Sequence, residues 1–149
     1  MHDPPRLSPP RLSVTVSGLS RLFGGSLEGL LEMARIADSV GIQQIAMTDH
    51  LMIGPRTDRY PYGDFPFSQD EPWPEPLTTL AAIAGCTSQL RLATGILIAP
   101  LRPPLLLAKT LATLDVLSGG RVDLGVGTGW QREEFEASGE EFALSLIHI

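Results

Sequence analysis

The sequence predicts an α/β fold, the N-terminal half of a (βα)8 TIM-like barrel with four parallel strands. Strand-like and helix-like segments alternate at a spacing of about 30 residues, which is typical of parallel βαβ units. Barrel enzymes build their sites at the carboxyl ends of the strands. The sequence places polar residues at those ends: Ser17, Asp49, His50, Thr94 and Thr128. The first strand–helix turn lacks the Gly-x-Gly-x-x-Gly pattern of an open dinucleotide-binding sheet.

The first strand–helix–strand unit runs from Leu12 to Met47. Residues 12–17 alternate apolar and hydroxyl side chains, which predicts a strand buried on one face. Ser26 is suited to cap a helix whose apolar stripe begins at Leu27, and Gly41 is suited to end it in a left-handed conformation. Residues 42–47 are almost wholly apolar, as expected of a strand buried on both faces.

A long irregular segment separates this unit from the next. Residues 54–76, which we call the lid segment, contain six prolines and the aromatic residues Tyr60, Tyr62, Phe65, Phe67 and Trp73. Loops of this length in compact domains are usually functional or disordered. The aromatic content favours a folded lid over a linker, and a plain packing loop remains the alternative.

Five elements are predicted beyond the lid segment. They are a helix over 76–89, a strand over 91–98, a helix opened by Pro103-Pro104 and ended by Gly119-Gly120, a strand over 122–126, and a helix beginning near Gln131.

Composition and charge argue against several classes of function. The 11 basic and 17 acidic residues give a net charge of −6, with no basic cluster to bind nucleic acid. No apolar run reaches the roughly 20 residues of a membrane helix. A single cysteine, Cys86, fits a reducing cytoplasm, and isolated histidines indicate no metal site. We expect a cytoplasmic protein that acts on a small molecule.

The most specific motif covers residues 105–139, LLLAKTLATLDVLSGGRVDLGVGTGWQREEFEASG, and is joined by Asp49-His50-Leu51 and by residues 92–97. With these motifs, residues 12–143 resemble the luciferase-like monooxygenases and their deazaflavin-dependent relatives. The resemblance implies a (βα)8 barrel that binds reduced flavin or deazaflavin at its strand ends. It also implies that the full-length parent forms a homodimer, as family members often do.

The resemblance also assigns site residues. His50 matches the catalytic histidine that faces the reactive ring, and Asp49 matches a residue beside that ring. The third-strand bulge, often with a non-proline cis peptide, and the fourth-strand turn are expected to bind the cofactor through Thr94, Gly95, Ile96, Gly127, Thr128, Gly129 and Trp130.

Some of these assignments have alternatives. Trp130 stands where related deazaflavin-dependent sugar-phosphate dehydrogenases carry glutamate, which argues against their acid–base pairing here. From the residues alone, Asp49 also suits a cap, Thr128 a turn hydroxyl and His50 a structural histidine at a strand end.

The leading functional hypothesis is an oxidoreductase that transfers a hydride between coenzyme F420 and a small organic substrate. The rival is an FMN-dependent monooxygenase that uses reduced flavin and O2. The non-enzymatic alternative is a cofactor-free barrel relative that acts as a binding partner. Half a barrel leaves an open strand edge and an uncovered apolar interior. We therefore expect this chain alone to be inactive and to bind cofactor poorly.

The two ends of the chain are set apart from the partial barrel domain, which covers residues 12–143. Residues 1–11 contain four prolines and are predicted to be a disordered leader. Residues 144–149 break the amphipathic pattern before them and match one reading frame of a sequencing-library adapter. They are predicted to be a non-native tail.

Overall fold

The computed structural model describes residues 11–142, so the predicted leader, apart from Arg11, and the predicted tail lie outside it. The strands are β1 (Ser13–Val16), β2 (Gln44–Met47), β3 (Arg91–Ile98) and β4 (Val122–Gly127). They form one parallel sheet in the order β1-β2-β3-β4. Each strand therefore pairs with the next one along the chain, as the strands of a βα barrel do. The predicted fold class is confirmed.

Within residues 11–142, five α-helices connect or follow the strands. They are α1 (Ser20–Phe23), α2 (Leu27–Ser39), α3 (Pro76–Cys86), α4 (Pro104–Ser118) and α5 (Arg132–Ser138), with 3-10 turns at Thr57–Arg59 and Ala99–Leu101. The backbone N–H of Gly29 donates to Ser26 Oγ (3.3 Å), so Ser26 caps α2 as predicted. Among residues 11–142, none of the helices is long and apolar enough to cross a bilayer.

Two helical features differ from the prediction. The short helix α1 occupies the turn after β1, where no helix was predicted. Helix α3 ends at Cys86 rather than near Gln89, because Thr87 is extended (φ −131°, ψ 159°). The amides of the next three residues donate to the carboxylate of Asp38 instead of continuing the helix.

The main core lies between the sheet and helices α2, α3 and α4. Side chains at every second strand position point toward these helices, as the two-residue period of a strand requires. Burying each large aliphatic side chain contributes about 1.5–3 kcal/mol. The fully buried large residues of this core include Leu30, Ile45, Leu80, Ile83, Leu90, Leu92 and Leu97.

The opposite face of the sheet, which corresponds to the barrel interior, carries polar side chains and small ones at the amino ends of the strands. Gln44 Nε2 donates to Asp123 Oδ2 (2.8 Å), and Arg91 Nε donates to the same oxygen (2.7 Å). These side chains alternate with the core residues Ile45 and Leu92 along β2 and β3. The interior is therefore polar at the amino ends of the strands, whereas the apolar side chain of Ile96 is 41% exposed near the carboxyl ends.

Two charged side chains hold the loops at the amino ends of β3 and β4. Arg121 donates to the carbonyl oxygens of Ala84 (3.1 Å), Leu90 (2.8 Å) and Ser118 (2.6 Å). Asp38 accepts from the backbone amides of three consecutive residues: Ser88, Gln89 and Leu90, at 2.6–2.8 Å. Burial alone would raise the pKa of Asp38, but these hydrogen bonds outweigh it and hold the pKa below its usual range.

Candidate functional site

A cavity of about 290 Å³ lies at the carboxyl ends of the strands, under the lid segment. Its volume is close to the lower limit of known small-molecule sites, about 300 Å³. One wall comes from the strand ends and the turn after β4, and the other comes from the lid segment. Of the predicted site residues, those that line it are Asp49, His50, Gly95, Ile96, Gly129 and Trp130.

His50 lies three residues after the end of β2, and its side chain has one hydrogen-bond partner. Its Nδ1 lies 2.9 Å from Oε2 of Glu134, a side chain that is completely buried. Edge-to-face contacts hold the imidazole plane, with ring centroids at 5.0 Å from Trp73 and 5.9 Å from Trp130. The ring is thus fixed from three sides while one edge meets the cavity.

The side chain of Asp49 points away from that of His50 and forms a buried ion pair with Arg102. Its carboxylate accepts from the backbone N–H of Ile98 (2.7 Å) and from both terminal nitrogens of Arg102 (2.6 and 2.9 Å). Arg102 also donates to Glu75 (3.1 Å), at the start of α3. Burial would lower the pKa of Arg102, yet the two carboxylates raise it above its usual value. The acceptor oxygens of Asp49 are therefore occupied by the protein.

The bulge in β3 forms the floor of the cavity. The pairing register with β4 shifts between Thr94 and Leu97, and the Gly95–Ile96 peptide is cis. Gly95 and Ile96 line the cavity. Thr94 lies behind them: its hydroxyl donates to the carbonyl oxygen of Gly125 (2.7 Å) and accepts from the Gly125 amide (3.0 Å). Thr94 therefore supports the floor without lining it.

The turn after β4 brings only part of its predicted residues to the cavity. Gly127 faces the side chain of Ile96, because a Cβ atom at this glycine would lie 2.6 Å from Ile96 Cδ1. Gly129 adopts a positive φ of 78°, and Trp130 lines the cavity beside it. Neither Gly127 nor Thr128 is among the lining residues.

The lid segment covers the cavity with a network of aromatic rings. Phe65 contacts Tyr60, Phe67 and Trp130, at centroid distances of 5.3–5.7 Å. Arg21 of α1 fixes the outer side by donating to the carbonyl oxygen of Pro66 (2.6 Å). The lid segment is therefore folded onto the strand ends, and its last residue, Pro76, begins α3.

Three residues of this region were not predicted from the sequence: Glu134, Gln131 and Arg102. Glu134 and Gln131 lie on or before α5 and reach back to the segment after β2, whereas Arg102 lies in the turn before α4. No local pattern encodes these contacts, because Glu134 and His50 lie 84 positions apart in the chain and Arg102 and Asp49 lie 53 apart.

Residues 11–142 contain no group of three or more His, Cys, Asp or Glu residues that could hold a metal ion.

Two curated relatives illustrate what the chain is similar to. An uncharacterized protein of Mycobacterium tuberculosis is 34% identical over 117 residues, which cover 76% of this chain and 41% of the relative. The FMNH(2)-dependent dimethylsulfone monooxygenase of Pseudomonas fluorescens is 44% identical over 61 residues, 41% of this chain and 16% of the relative. The chain therefore spans about two fifths of the length of the first of these relatives.

Two solved structures share the fold. The monooxygenase RslO1 of Streptomyces bottropensis superposes with a TM-score of 0.72 at 28% identity, covering 91% of this chain and 38% of that one. The coenzyme F420 dependent tetrahydromethanopterin reductase of Methanopyrus kandleri gives a TM-score of 0.60 at 23% identity, covering 89% and 30%.

The family assignment rests on the match to a family model together with these similarities. The model described as luciferase-like monooxygenase matches residues 8–146, nearly the whole chain. The parallel sheet, the bulge in β3 and the cavity at the strand ends all lie within the matched range. The chain belongs to the luciferase-like monooxygenase family.

Proposed function

We propose that this chain forms the N-terminal half of a coenzyme F420-dependent oxidoreductase that transfers a hydride between the deazaflavin and a small organic substrate. One observation carries the proposal. In a chain of this family, His50, the backbone of Gly95 and Ile96, and Trp130 surround a single cavity at the strand ends.

The residues of the cavity suit a flat ring. Its floor is the backbone of the β3 bulge, where Gly95 has no side chain to stand between the backbone and a ligand. Its walls include the planar rings of His50 and Trp130. A bound deazaflavin supplies the hydride acceptor or donor carbon. His50 supplies an imidazole ring, a group that can take or give a proton.

Asp49 and Thr94 act in this proposal through other residues. Asp49 joins the end of β3 to the start of α4 through Ile98 and Arg102. Thr94 joins the bulge to Gly125 of β4. Both therefore hold the floor of the cavity in place, and we propose Gly95, Ile96, Gly129 and Trp130 as the residues that touch the ring.

The phosphate groups of F420 or FMN need binding residues that lie outside this cavity. Among residues 11–142, no Lys or Arg side chain lines the cavity, although phosphate groups are usually bound by such side chains or by helix amino termini. We therefore expect the 149-residue chain to bind F420 or FMN weakly, and the full-length parent to bind one of them tightly.

An FMN-dependent monooxygenase is the second candidate. It is favoured by the similarity to the dimethylsulfone monooxygenase, whose identity of 44% over 61 residues is the highest among the relatives described above. The same cavity residues would contact an isoalloxazine ring, so the two candidates differ in the cofactor and in the use of O2.

The test is a fluorescence titration of the full-length parent with F420 and with FMN. Selective binding of F420 and F420 reduction by the loaded protein support the proposal. Selective binding of FMN with O2-dependent turnover supports the second candidate and rules out the first.

A variant pair connects the activity to the site. His50→Ala is expected to lower kcat by about 10²–10⁴-fold, the usual contribution of a general acid or base. Glu136→Gln is the control, because Glu136 is exposed on α5. A His50→Ala enzyme with unchanged kcat would remove His50 from the mechanism.

A further inference from the structure

We propose that Glu134 is a positioning residue that fixes the ring tautomer of His50, so that neutral His50 presents a hydrogen-bond acceptor, Nε2, to the cavity. The tautomer follows from the hydrogen bonds of Glu134 as a carboxylate and needs no bound cofactor. Its consequence for catalysis rests on the proposed function.

The carboxylate of Glu134 is enclosed and receives only donors. Its Oε1 accepts from the backbone N–H of Leu51 (2.8 Å), and its Oε2 lies 2.9 Å from Nδ1 of His50. An ionised carboxylate can accept hydrogen bonds but cannot donate them. The hydrogen between Glu134 and His50 is therefore carried by Nδ1. In a neutral imidazole the other nitrogen then has a free lone pair.

Helix α5 is held firmly enough to keep this contact. Phe135 is fully buried against Ile98 and Leu101, which lie at the end of β3 and in the turn after it. Gln131, at the start of the helix, exchanges two hydrogen bonds with the backbone of Gly54: its Oε1 accepts from the amide (3.0 Å) and its Nε2 donates to the carbonyl (3.2 Å). The segment from His50 to Gly54 is thus attached to α5 at both ends.

The second ring nitrogen of His50 opens to the cavity. No residue among 11–142 makes a hydrogen bond to Nε2 of His50. Within the same range, the one side-chain nitrogen or oxygen atom that is both fully buried and without a hydrogen-bond partner is Glu133 Oε2, so Nε2 of His50 is not fully buried. Nε2 is therefore accessible, and His50 is a lining residue. A neutral His50 held in this tautomer selects a ligand that donates a hydrogen bond, such as a hydroxyl group, over a carbonyl oxygen.

The proton balance is simple. When a ligand hydroxyl gives its proton, the O–H bond breaks and an Nε2–H bond forms, which converts His50 to an imidazolium. The new positive charge faces the carboxylate of Glu134 at 2.9 Å. Glu134 keeps its position throughout and exchanges no proton.

The variant Glu134→Gln separates tautomer control from simple packing. The amide has nearly the same shape, and the N–H of Leu51 requires an acceptor, so the amide oxygen must remain on Leu51. The amide nitrogen then faces Nδ1 of His50 and donates to it. The ring proton is expected to move to Nε2, which turns the cavity-facing acceptor into a donor.

The measurement is a long-range ¹H–¹⁵N correlation spectrum of ¹⁵N-histidine-labelled protein, recorded at a pH at which the ¹⁵N shifts show a neutral ring. The chain has three histidines, so His2→Gln and His148→Gln identify the His50 signals. Wild-type protein is expected to show the Nδ1–H tautomer, Glu134→Gln the Nε2–H tautomer, and the control Glu136→Gln the wild-type pattern.

Two results would overturn the proposal: an Nε2–H tautomer in the wild type, or an unchanged tautomer in Glu134→Gln. The wild-type spectrum alone decides the first point if Glu134→Gln does not fold. The spectrum needs no cofactor, so the proposed function can fail while this inference stands, and the reverse also holds.

Discussion

Asp49 and His50 are neighbours in the sequence, but their side chains bind to opposite parts of the molecule. Asp49 reaches the end of β3 and Arg102, while His50 reaches Glu134 on α5. Side chains alternate along an extended backbone, so two consecutive residues at a strand end cannot share one partner easily. Asp49 therefore joins the end of β2 to the end of β3, while the imidazole of His50 lines the cavity.

The Asp49–Arg102 pair yields a prediction on stability. Arg102→Ala leaves a fully enclosed carboxylate without its cationic partner, and breaking a buried pair in this way costs about 3–5 kcal/mol. Urea denaturation should show a strongly lowered midpoint or a chain already unfolded in water. Arg35→Ala is the control, because the exposed Arg35–Glu32 pair should contribute no more than about 1 kcal/mol. Equal effects of the two substitutions would contradict this assignment.

Asp38 yields a prediction on pH. Its folded pKa lies below the ordinary value of 3.8, so its contribution to stability is present above pH 3.8 and is lost as the pH falls through the folded pKa. Asp38→Asn should therefore be less stable than the wild type at neutral pH, and the difference should shrink in acid. Free energies of unfolding between neutral and acidic pH would show it. A difference that is constant with pH would refute the role of the carboxylate charge.

At the scale of elements, β3 and β4 approach each other closely because glycines alternate along β4. A Cβ atom at Gly125 would meet the backbone carbonyl oxygen of Thr94, which cannot move without disturbing the bulge. A Cβ atom at Gly127 would meet the end of the Ile96 side chain, which can rotate away. The two glycines thus leave space for atoms of β3 rather than for a ligand. The floor of the cavity, which β3 forms, depends on this space.

The prediction is a ranking of two alanine substitutions. Gly125→Ala should destabilise the chain more than Gly127→Ala, for which about 1–3 kcal/mol is the usual cost of overpacking. Thermal unfolding of both variants would test the order. Neither glycine has a positive φ, so the comparison reports steric contact rather than backbone strain. The reverse order would show that Thr94 and its bulge can shift more easily than the structure indicates.

The sequence predicted the elements better than it predicted their contacts. Strand and helix types followed from periods of two and 3.6 residues, and Ser26 as a cap followed from local chemistry. The end of α3 could not be predicted, because Asp38 lies about 50 residues earlier in the chain. Glu134 was missed for the same reason: the contact with His50 joins residues 84 positions apart, and no local pattern encodes it.

At the scale of the whole molecule, β4 is an edge strand with exposed apolar side chains. Leu124 and Val126 are 47% and 56% exposed, and Leu105 and Val116 of α4 are exposed as well. An unpaired edge with apolar side chains promotes association between chains. This surface is therefore the part of the described chain most suited to contact further polypeptide.

A charge at this edge should reduce self-association. Val126→Lys is expected to increase the monomeric fraction of the 149-residue chain, because a lysine on an edge strand disfavours pairing with a second edge. Light scattering after size-exclusion chromatography gives the measurement. The control is Val40→Lys, since Val40 is also exposed (68%) but follows α2, away from β4. Similar behaviour of both variants would place the association elsewhere.

The contact between His50 and α5 also sets an order of events during synthesis. His50 is polymerised 84 residues before Glu134. At translation rates of roughly 5–20 residues per second, the interval is on the order of ten seconds. Throughout that time the segment from His50 to Gly54 has no α5 to bind, and the aromatic side chains that follow it lack the ring of Trp130. Chaperones that recognise exposed aromatic residues would meet the nascent chain in this interval, before His50 has acquired its fixed orientation.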